Sequence, residues 1–125
     1  MNISRIQTEF SNAQQHFTNV ELYPTTDGKV YVKVVLQPTP LQFYVVTINF
    51  PDNYPNLMPS VYITKPVIEL SPHRYNTGNI CYLHPTMWNP GIHNLSFVIQ
   101  RAAKWLSKYE IWKRSRVWPG AEIKH

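Results

Sequence analysis

The sequence predicts an α+β fold in which two helices flank a four-stranded antiparallel meander. Apolar residues recur at helical spacing only near the two ends of the 125-residue chain. Between these ends come β-branched and aromatic runs separated by short turns, a pattern typical of consecutive antiparallel strands. Because the strands form one block and do not alternate with helices, the pattern favours one sheet with helices packed against it.

The first helix is predicted over residues 3–17. Its apolar residues recur every three or four positions and therefore share one face: Ile3, Ile6, Phe10, Ala13 and Phe17. Ser4 is the expected cap near its start. We expect the apolar face to pack on the sheet, and docking of a partner is the alternative.

Four strands are predicted after this helix. Their ranges are Val20–Tyr23, Val30–Leu36, Leu41–Phe50 and Val61–Thr64. The first turn is Thr26–Lys29, where Gly28 can take a positive φ, and the second is Gln37–Pro40. The segment Pro51–Pro59 has three prolines in nine residues and is expected to end strand pairing before the fourth strand.

The second helix is predicted from the capping residue Asn94 to about residue 113. Its apolar stripe consists of Leu95, Val98, Ile99, Ala102, Leu106 and Tyr109. Arg101, Lys104 and Lys108 lie on the other side of this helix. Pro119 and Gly120 prevent the helix from reaching the end of the chain.

Length and composition predict one globular domain spanning residues 1–125. The hydrophobic share is 43% and no apolar run approaches the roughly 20 residues of a membrane span. The N-terminus lacks the apolar core of a signal peptide, so a cytoplasmic protein is expected. The net charge of +5 is concentrated late in the chain. We interpret these charges as a solvated helix face, and nucleic-acid binding is a less favoured alternative.

The stretch Ser71–Pro90 predicts a long ordered loop because proline, glycine and asparagine punctuate it. It contains the single cysteine, Cys81, and His73 and His84, and His93 follows directly after it. A cysteine with histidines nearby is a candidate nucleophile or metal site. A zinc site is the weaker alternative, since Cys-x-x-His has no second close ligand pair.

Several motifs in and before this loop resemble those of the ubiquitin-conjugating (UBC-fold) enzyme family, over about residues 3–112. The matching residues are Tyr54, Pro55, Pro59 and Val61, then Gly78, Ile80 and Cys81, then Trp88 and Pro90. One departure is clear, because the family's His-Pro-Asn motif reads Ser71-Pro72-His73 here. The basic aromatic tail, 113–125, resembles the short stand-alone bacterial forms found in antiphage defence (CBASS-type) operons.

The resemblance implies a transferase in which Cys81 carries another protein's activated C-terminus as a thioester. An exposed thiol is expected for that task, because the thiolate is the nucleophile. His73 is the first candidate for oxyanion donor or general base, with loop bracing as its alternative role, and His84 is the second candidate. Tyr75 and Tyr82 are expected to pack or to line the groove, and Trp88 to anchor the loop to the second helix.

The same resemblance implies partners rather than cofactors. The expected partners are an activating enzyme, an acceptor protein, and a carried protein that is either ubiquitin-like or a cGAS-like nucleotidyltransferase C-terminus. No metal or small-molecule cofactor is implied. A non-catalytic UBC-fold module that only binds ubiquitin-like partners is the alternative function.

Overall fold

The computed structural model describes residues 1–120, and the last five residues of the predicted tail lie outside this range. Its elements are α1 (Ile3–His16), β1 (Val20–Pro24), β2 (Val30–Thr39), β3 (Gln42–Asn49), β4 (Ser60–Lys65), a 3-10 turn (Pro85–Met87) and α2 (Leu95–Ser115). The predicted α+β order of helix, four strands, loop and helix is confirmed. None of the helices in this part of the chain is long and apolar enough to cross a membrane.

The four strands form one antiparallel sheet in sequence order, which confirms the meander. The predicted turn Gln37–Pro40 is wrong in position. Pairing between β2 and β3 continues to Thr39 and Gln42, past an irregularity after Leu36, and the chain reverses over the two residues between them. A proline such as Pro38 is tolerated where the ladder is interrupted, since no backbone donor is required there.

The core lies between one face of the sheet and the two helices. All six residues of the predicted α2 stripe are buried, as are Ile6 and Ala13 of α1. The sheet contributes inward side chains at alternate positions, among them Val32, Val34, Tyr44, Val46 and Ile48. The apolar periodicities in the sequence therefore mark true buried faces.

The helix caps agree with the sequence at α2 and differ at α1. Asn94 caps α2 by accepting a hydrogen bond from the Phe97 amide at 2.9 Å, as predicted. The cap of α1 is Asn2, which accepts from the Arg5 amide at 3.0 Å, so the predicted cap Ser4 is wrong. Helix α2 ends at Ser115, and Arg116 takes a left-handed conformation with φ of 62°.

A buried carboxylate ties the two helices together next to the loop. Glu9 is only 8% exposed and accepts hydrogen bonds from the Tyr54 hydroxyl and the Leu95 amide, both at 2.7 Å. It also forms an ion pair with Arg5 at 2.6 Å. Arg5 in turn donates to the carbonyl oxygens of Pro90 and His93. This network fixes the end of the loop relative to the start of α2.

Candidate active site

The first half of the loop forms a small antiparallel turn. The Tyr75 amide donates to the Asn79 carbonyl and the Gly78 amide to the Tyr75 carbonyl, both at 2.9 Å. Gly78 has a φ of 93°, a conformation that glycine adopts without steric cost. Arg74 and Ile80 pair across the turn. The turn therefore places Arg74 and Tyr75 opposite Ile80 and Asn79, next to Cys81.

Backbone contacts on both sides fix Cys81. Its amide donates to the His73 carbonyl at 2.8 Å, and the preceding amide of Ile80 donates to Val61 of β4 at 2.8 Å. On the other side, Arg101 of α2 donates to the Tyr82 carbonyl at 2.9 Å. The loop is therefore held to the sheet and to α2 at the position of the cysteine.

The Cys81 thiol is buried, with an exposed fraction of 1%. The prediction of an exposed thiol is therefore wrong for this conformation. Burial raises the pKa of Cys81 above the ordinary thiol value, because the charged thiolate loses solvation. The nearby Tyr75 side chain acts in the opposite direction and lowers the pKa of Cys81 in part.

His73 holds the loop through its backbone and packs its ring against the C-terminal segment. It is left-handed, with φ of 61°, and its carbonyl accepts from the Trp105 indole at 3.1 Å as well as from Cys81. The centroids of the His73 and Trp118 rings are 4.9 Å apart. These are the contacts expected of a brace, and the catalytic role of His73 stays a prediction.

His84 and His93 stabilise local turns. The His84 Nδ1 lies 2.7 Å from the Thr86 hydroxyl and accepts from the Thr86 amide, which caps the 3-10 turn. His93 Nδ1 accepts from the Asn89 amide at 2.9 Å, and its ring stacks on Phe97. The contacts of His84 do not test its catalytic role, which stays a prediction. The contacts of His93 fit the structural role that was expected near the start of a helix.

Trp88 anchors the loop to the segment before β4 and also lies beside the start of α2. Its indole donates to the Pro55 carbonyl at 2.7 Å, and its ring lies against Tyr54. The ring also lies 5.4 Å from that of His93, next to the Asn94 cap of α2, so Trp88 packs between the Tyr-Pro pair and the helix start.

An open cleft of about 220 Å³ lies beside the loop. Its lining residues are Met58, Pro59, Ser60, Tyr75, Asn79 and Pro85. Tyr75 thus lines a groove, as expected. Its effect on the pKa of Cys81 was not expected from the sequence. The Asn-Thr-Gly turn signal at 76–78 carried this information, because pairing residue 74 with residue 80 puts 75 and 81 on the same side.

The zinc alternative gains no support from the geometry. Among residues 1–120, no group of three or more His, Cys, Asp or Glu side chains is arranged to hold a metal ion. The four ligand-type residues of the loop region, His73, Cys81, His84 and His93, lie within this range. Their observed contacts are the hydrogen bonds and ring contacts described above.

The rate at which the buried Cys81 thiol is alkylated should depend on pH in a way that can be measured. Since the pKa of Cys81 is raised, the rate of its alkylation by iodoacetamide should keep rising with pH to beyond the midpoint of an ordinary cysteine, about 8.5. Cys81 is the single cysteine, so loss of free thiol reports on it alone. Protein unfolded in guanidinium is the control and should show the ordinary midpoint. A midpoint below 8 in the folded protein would contradict the assignment of a desolvated thiol.

The fold and the position of the cysteine loop define a ubiquitin-conjugating-enzyme (UBC-fold) protein. A ubiquitin-conjugating enzyme E2 from Plasmodium falciparum is similar, with 29% identity and a TM-score of 0.61 over 83% of this chain and 96% of the other. An E2 from Plasmodium vivax has 28% identity and a TM-score of 0.61 over 82% and 99% of the two chains. Human ubiquitin-conjugating enzyme E2 G1 shares the fold, with 17% identity, a TM-score of 0.58 and coverage of 82% and 91%.

A comparison with family models assigns the chain to one family within the UBC fold. A family model described as the type II CBASS E2 protein matches residues 9–125. The chain therefore belongs to the type II CBASS E2 family, which agrees with the resemblance noted from its motifs. A comparison with curated proteins gave no match.

Proposed function

We propose that this protein is an acyltransferase that carries an activated protein C-terminus as a thioester on Cys81. The observation that carries the proposal is the position of the single cysteine. In a chain of the type II CBASS E2 family, Cys81 lies on the ordered loop before α2, and backbone bonds to His73 and Val61 fix that part of the loop. A nucleophile must be held in a fixed position to meet its substrate, and the motif residues around Cys81 hold it in this way. A cysteine that only fills the core does not need such a motif.

The proposed reaction has two steps. In loading, the Cys81 thiolate attacks the carbonyl carbon of the activated C-terminus, a C–S bond forms, and the leaving group of the donor departs with its electron pair. In transfer, an amine attacks the same carbon, a C–N bond forms, and Cys81 leaves as the thiolate. The proton that the amine loses passes to solvent or to a nearby base.

The partners follow from the family and from this chemistry. We propose that an activating enzyme supplies the donor as a thioester or an acyl adenylate, and that the acceptor is a lysine amine or another nucleophile. The carried protein is ubiquitin-like or is a cGAS-like nucleotidyltransferase with a reactive C-terminus. Antiphage defence in the bacterial cytoplasm is the proposed setting, and membership of the type II CBASS E2 family supports it.

A non-catalytic binding module is the second candidate, and one observation favours it. The thiol is 1% exposed and its pKa is raised, which are the properties of an unreactive structural cysteine. The two candidates differ in what happens at Cys81 when partners are added. The carrier must expose the thiol to its donor, whereas the binding module leaves it buried.

Discharge to a free amine tests the transferase directly. Protein loaded with the carried partner is separated from the donor and mixed with free lysine. The transferase should release the partner as its C-terminal lysine amide, at a rate proportional to lysine concentration. A loaded adduct that is stable to lysine for hours but lost with reductant would contradict the transfer step.

His73 is tested in the same assay. Because its observed contacts are those of a brace, His73→Ala should slow loading and discharge by similar factors and lower the melting temperature. Trp118→Ala, which removes the ring that packs on His73, is the matched variant and should behave alike. A loss confined to discharge, with an unchanged melting temperature, would instead assign His73 to the transfer transition state.

A further inference from the structure

The chain turns back directly after α2 and forms a short segment, residues 116–120, which is called the strap below. Arg116 ends the helix with a left-handed φ of 62° and reverses the direction of the chain. The strap then runs back beside the helix, where the Trp118 ring is half-buried. A Cβ atom at Gly120 would lie 3.2 Å from the Lys108 Nζ, so the strap is folded against α2.

The first attachment of the strap to the cysteine loop is the ring of Trp118. Its centroid lies 4.9 Å from that of the His73 ring and 5.3 Å from that of the Trp105 ring. The Trp105 indole donates to the His73 carbonyl at 3.1 Å, so Trp105 contacts both the strap and the loop. The same carbonyl accepts from the Cys81 amide at 2.8 Å. Only His73 therefore stands between the strap and the backbone of the cysteine.

The second attachment is an ion pair between Arg116 and Glu69. The Arg116 Nη2 and the Glu69 Oε1 are 3.0 Å apart. The Glu69 carbonyl accepts from the Arg74 Nη1 at 3.1 Å, and the Arg74 Nη2 donates to the Gly78 carbonyl at 3.4 Å. The strap is thereby connected through Glu69 and Arg74 to the turn that precedes Cys81.

The loop segment around Glu69 has little support from apolar burial. Val67 and Leu70, on either side of this residue, are 96% and 90% exposed. Ile68 packs on the core, and the Glu69 amide donates to the Tyr109 hydroxyl at 2.9 Å. The contacts of the strap therefore contribute a large share of the interactions that hold this segment in place.

We propose that the strap positions Cys81 for acyl transfer by holding the loop at these two points. Arg116 and Trp118 are positioning residues, since they act on the cysteine through the loop. Without the strap, the loop opens more often although the domain stays folded. Small reagents then reach the thiol faster, but the acyl group is presented less precisely to the attacking amine. The effect on transfer rests on the function proposed above, whereas the effect on thiol exposure does not.

Charge reversal tests the ion pair. Arg116→Glu should speed alkylation of Cys81 by iodoacetamide about fivefold, the size expected when an exposed ion pair becomes a repulsive pair, and should slow discharge to free lysine. The double variant Arg116→Glu/Glu69→Arg restores the pair with its charges exchanged, so both rates should return to within about twofold of wild type. Arg114→Glu is the matched control, because Arg114 bonds to the Glu110 carbonyl of its own helix, and it should leave both rates unchanged.

Removal of the Trp118 ring tests the first attachment. Trp118→Ala should speed alkylation of Cys81 about tenfold, because it removes both ring contacts. Val117→Ala changes an exposed neighbour in the strap and is the matched control. Alkylation is also measured in urea below the unfolding transition, where opening of the loop alone gives a rate that hardly changes with urea concentration.

The outcomes separate this inference from the proposed function. Unchanged alkylation in Arg116→Glu and Trp118→Ala would overturn the proposal, as would a double variant that is not rescued or a rate that rises steeply with urea. If the variants alkylate faster but discharge at the wild-type rate, the positioning role is wrong and the carrier function stands. If the wild-type protein does not load, the carrier function and the role in transfer fail together, while the alkylation rates still decide whether the strap holds the loop.

Discussion

Replacing Cys81 with alanine should abolish loading and transfer while leaving the protein folded. Cys81 is the single cysteine, so no other thiol can take its place. The side chain is buried, and removing one sulfur atom should lower the free energy of unfolding by about 1 kcal/mol, the ordinary cost of a small core truncation. The measurement is adduct formation on a gel without reductant, together with a thermal melt of the variant.

Cys81→Ser is the matched variant for the chemistry. A serine hydroxyl can form an oxyester, which resists thiol reductants and is cleaved by hydroxide, but it is a far weaker nucleophile at neutral pH. We expect slow formation of a reductant-resistant adduct in this variant. An adduct that forms on Cys81→Ala at the wild-type rate would place the acyl group on another residue and refute the assignment.

Glu9→Ala should cause a large loss of stability. The substitution leaves the Tyr54 hydroxyl, the Leu95 amide and the Arg5 guanidinium without their shared acceptor. Leaving the buried Tyr54 hydroxyl and Leu95 amide without an acceptor costs about 1–3 kcal/mol for each group, a large part of the stability of a small domain. For a domain of this size, the melting temperature should fall by about 10–25 °C.

The control for Glu9 is an exposed carboxylate. Glu21→Ala removes an exposed glutamate on β1 and should change the free energy of unfolding by less than about 0.5 kcal/mol. Since Arg5 links Glu9 to the carbonyls of Pro90 and His93, Glu9→Ala should also speed alkylation of Cys81 by loosening the loop. A melting temperature within a few degrees of wild type would show that the buried network contributes little to stability.

The elements of this fold were largely predictable because each carries its own local signal. The α2 stripe from Leu95 to Tyr109 is buried, and Asn94 caps the helix as expected. The errors fall at element ends, where single contacts decide the boundary. Asn2 rather than Ser4 caps α1, and the β2–β3 pairing extends to Thr39 and Gln42.

The site was predictable only in part, because its geometry depends on contacts between distant segments. The motif residues located the loop and Cys81, but no residue pattern near Cys81 in the sequence indicates that its thiol is buried. Glu9 was a polar residue outside the apolar stripe of α1, and its partners lie 45 and 86 residues away. The pairing of Arg74 with Ile80 could be predicted only if the turn at 76–78 was interpreted as a chain reversal and not only as a loop.

The most direct test of the carrier function is the mass of the loaded protein. The wild-type protein is incubated with ATP and with the activating enzyme and carried proteins encoded beside its gene, and intact mass is measured before and after reductant. We predict an adduct equal to the two proteins less one water, which reductant or hydroxylamine removes and which peptide mapping assigns to Cys81. An adduct that resists both reagents and maps to a lysine would contradict the thioester, as would no adduct together with a thiol that stays unreactive when all partners are present.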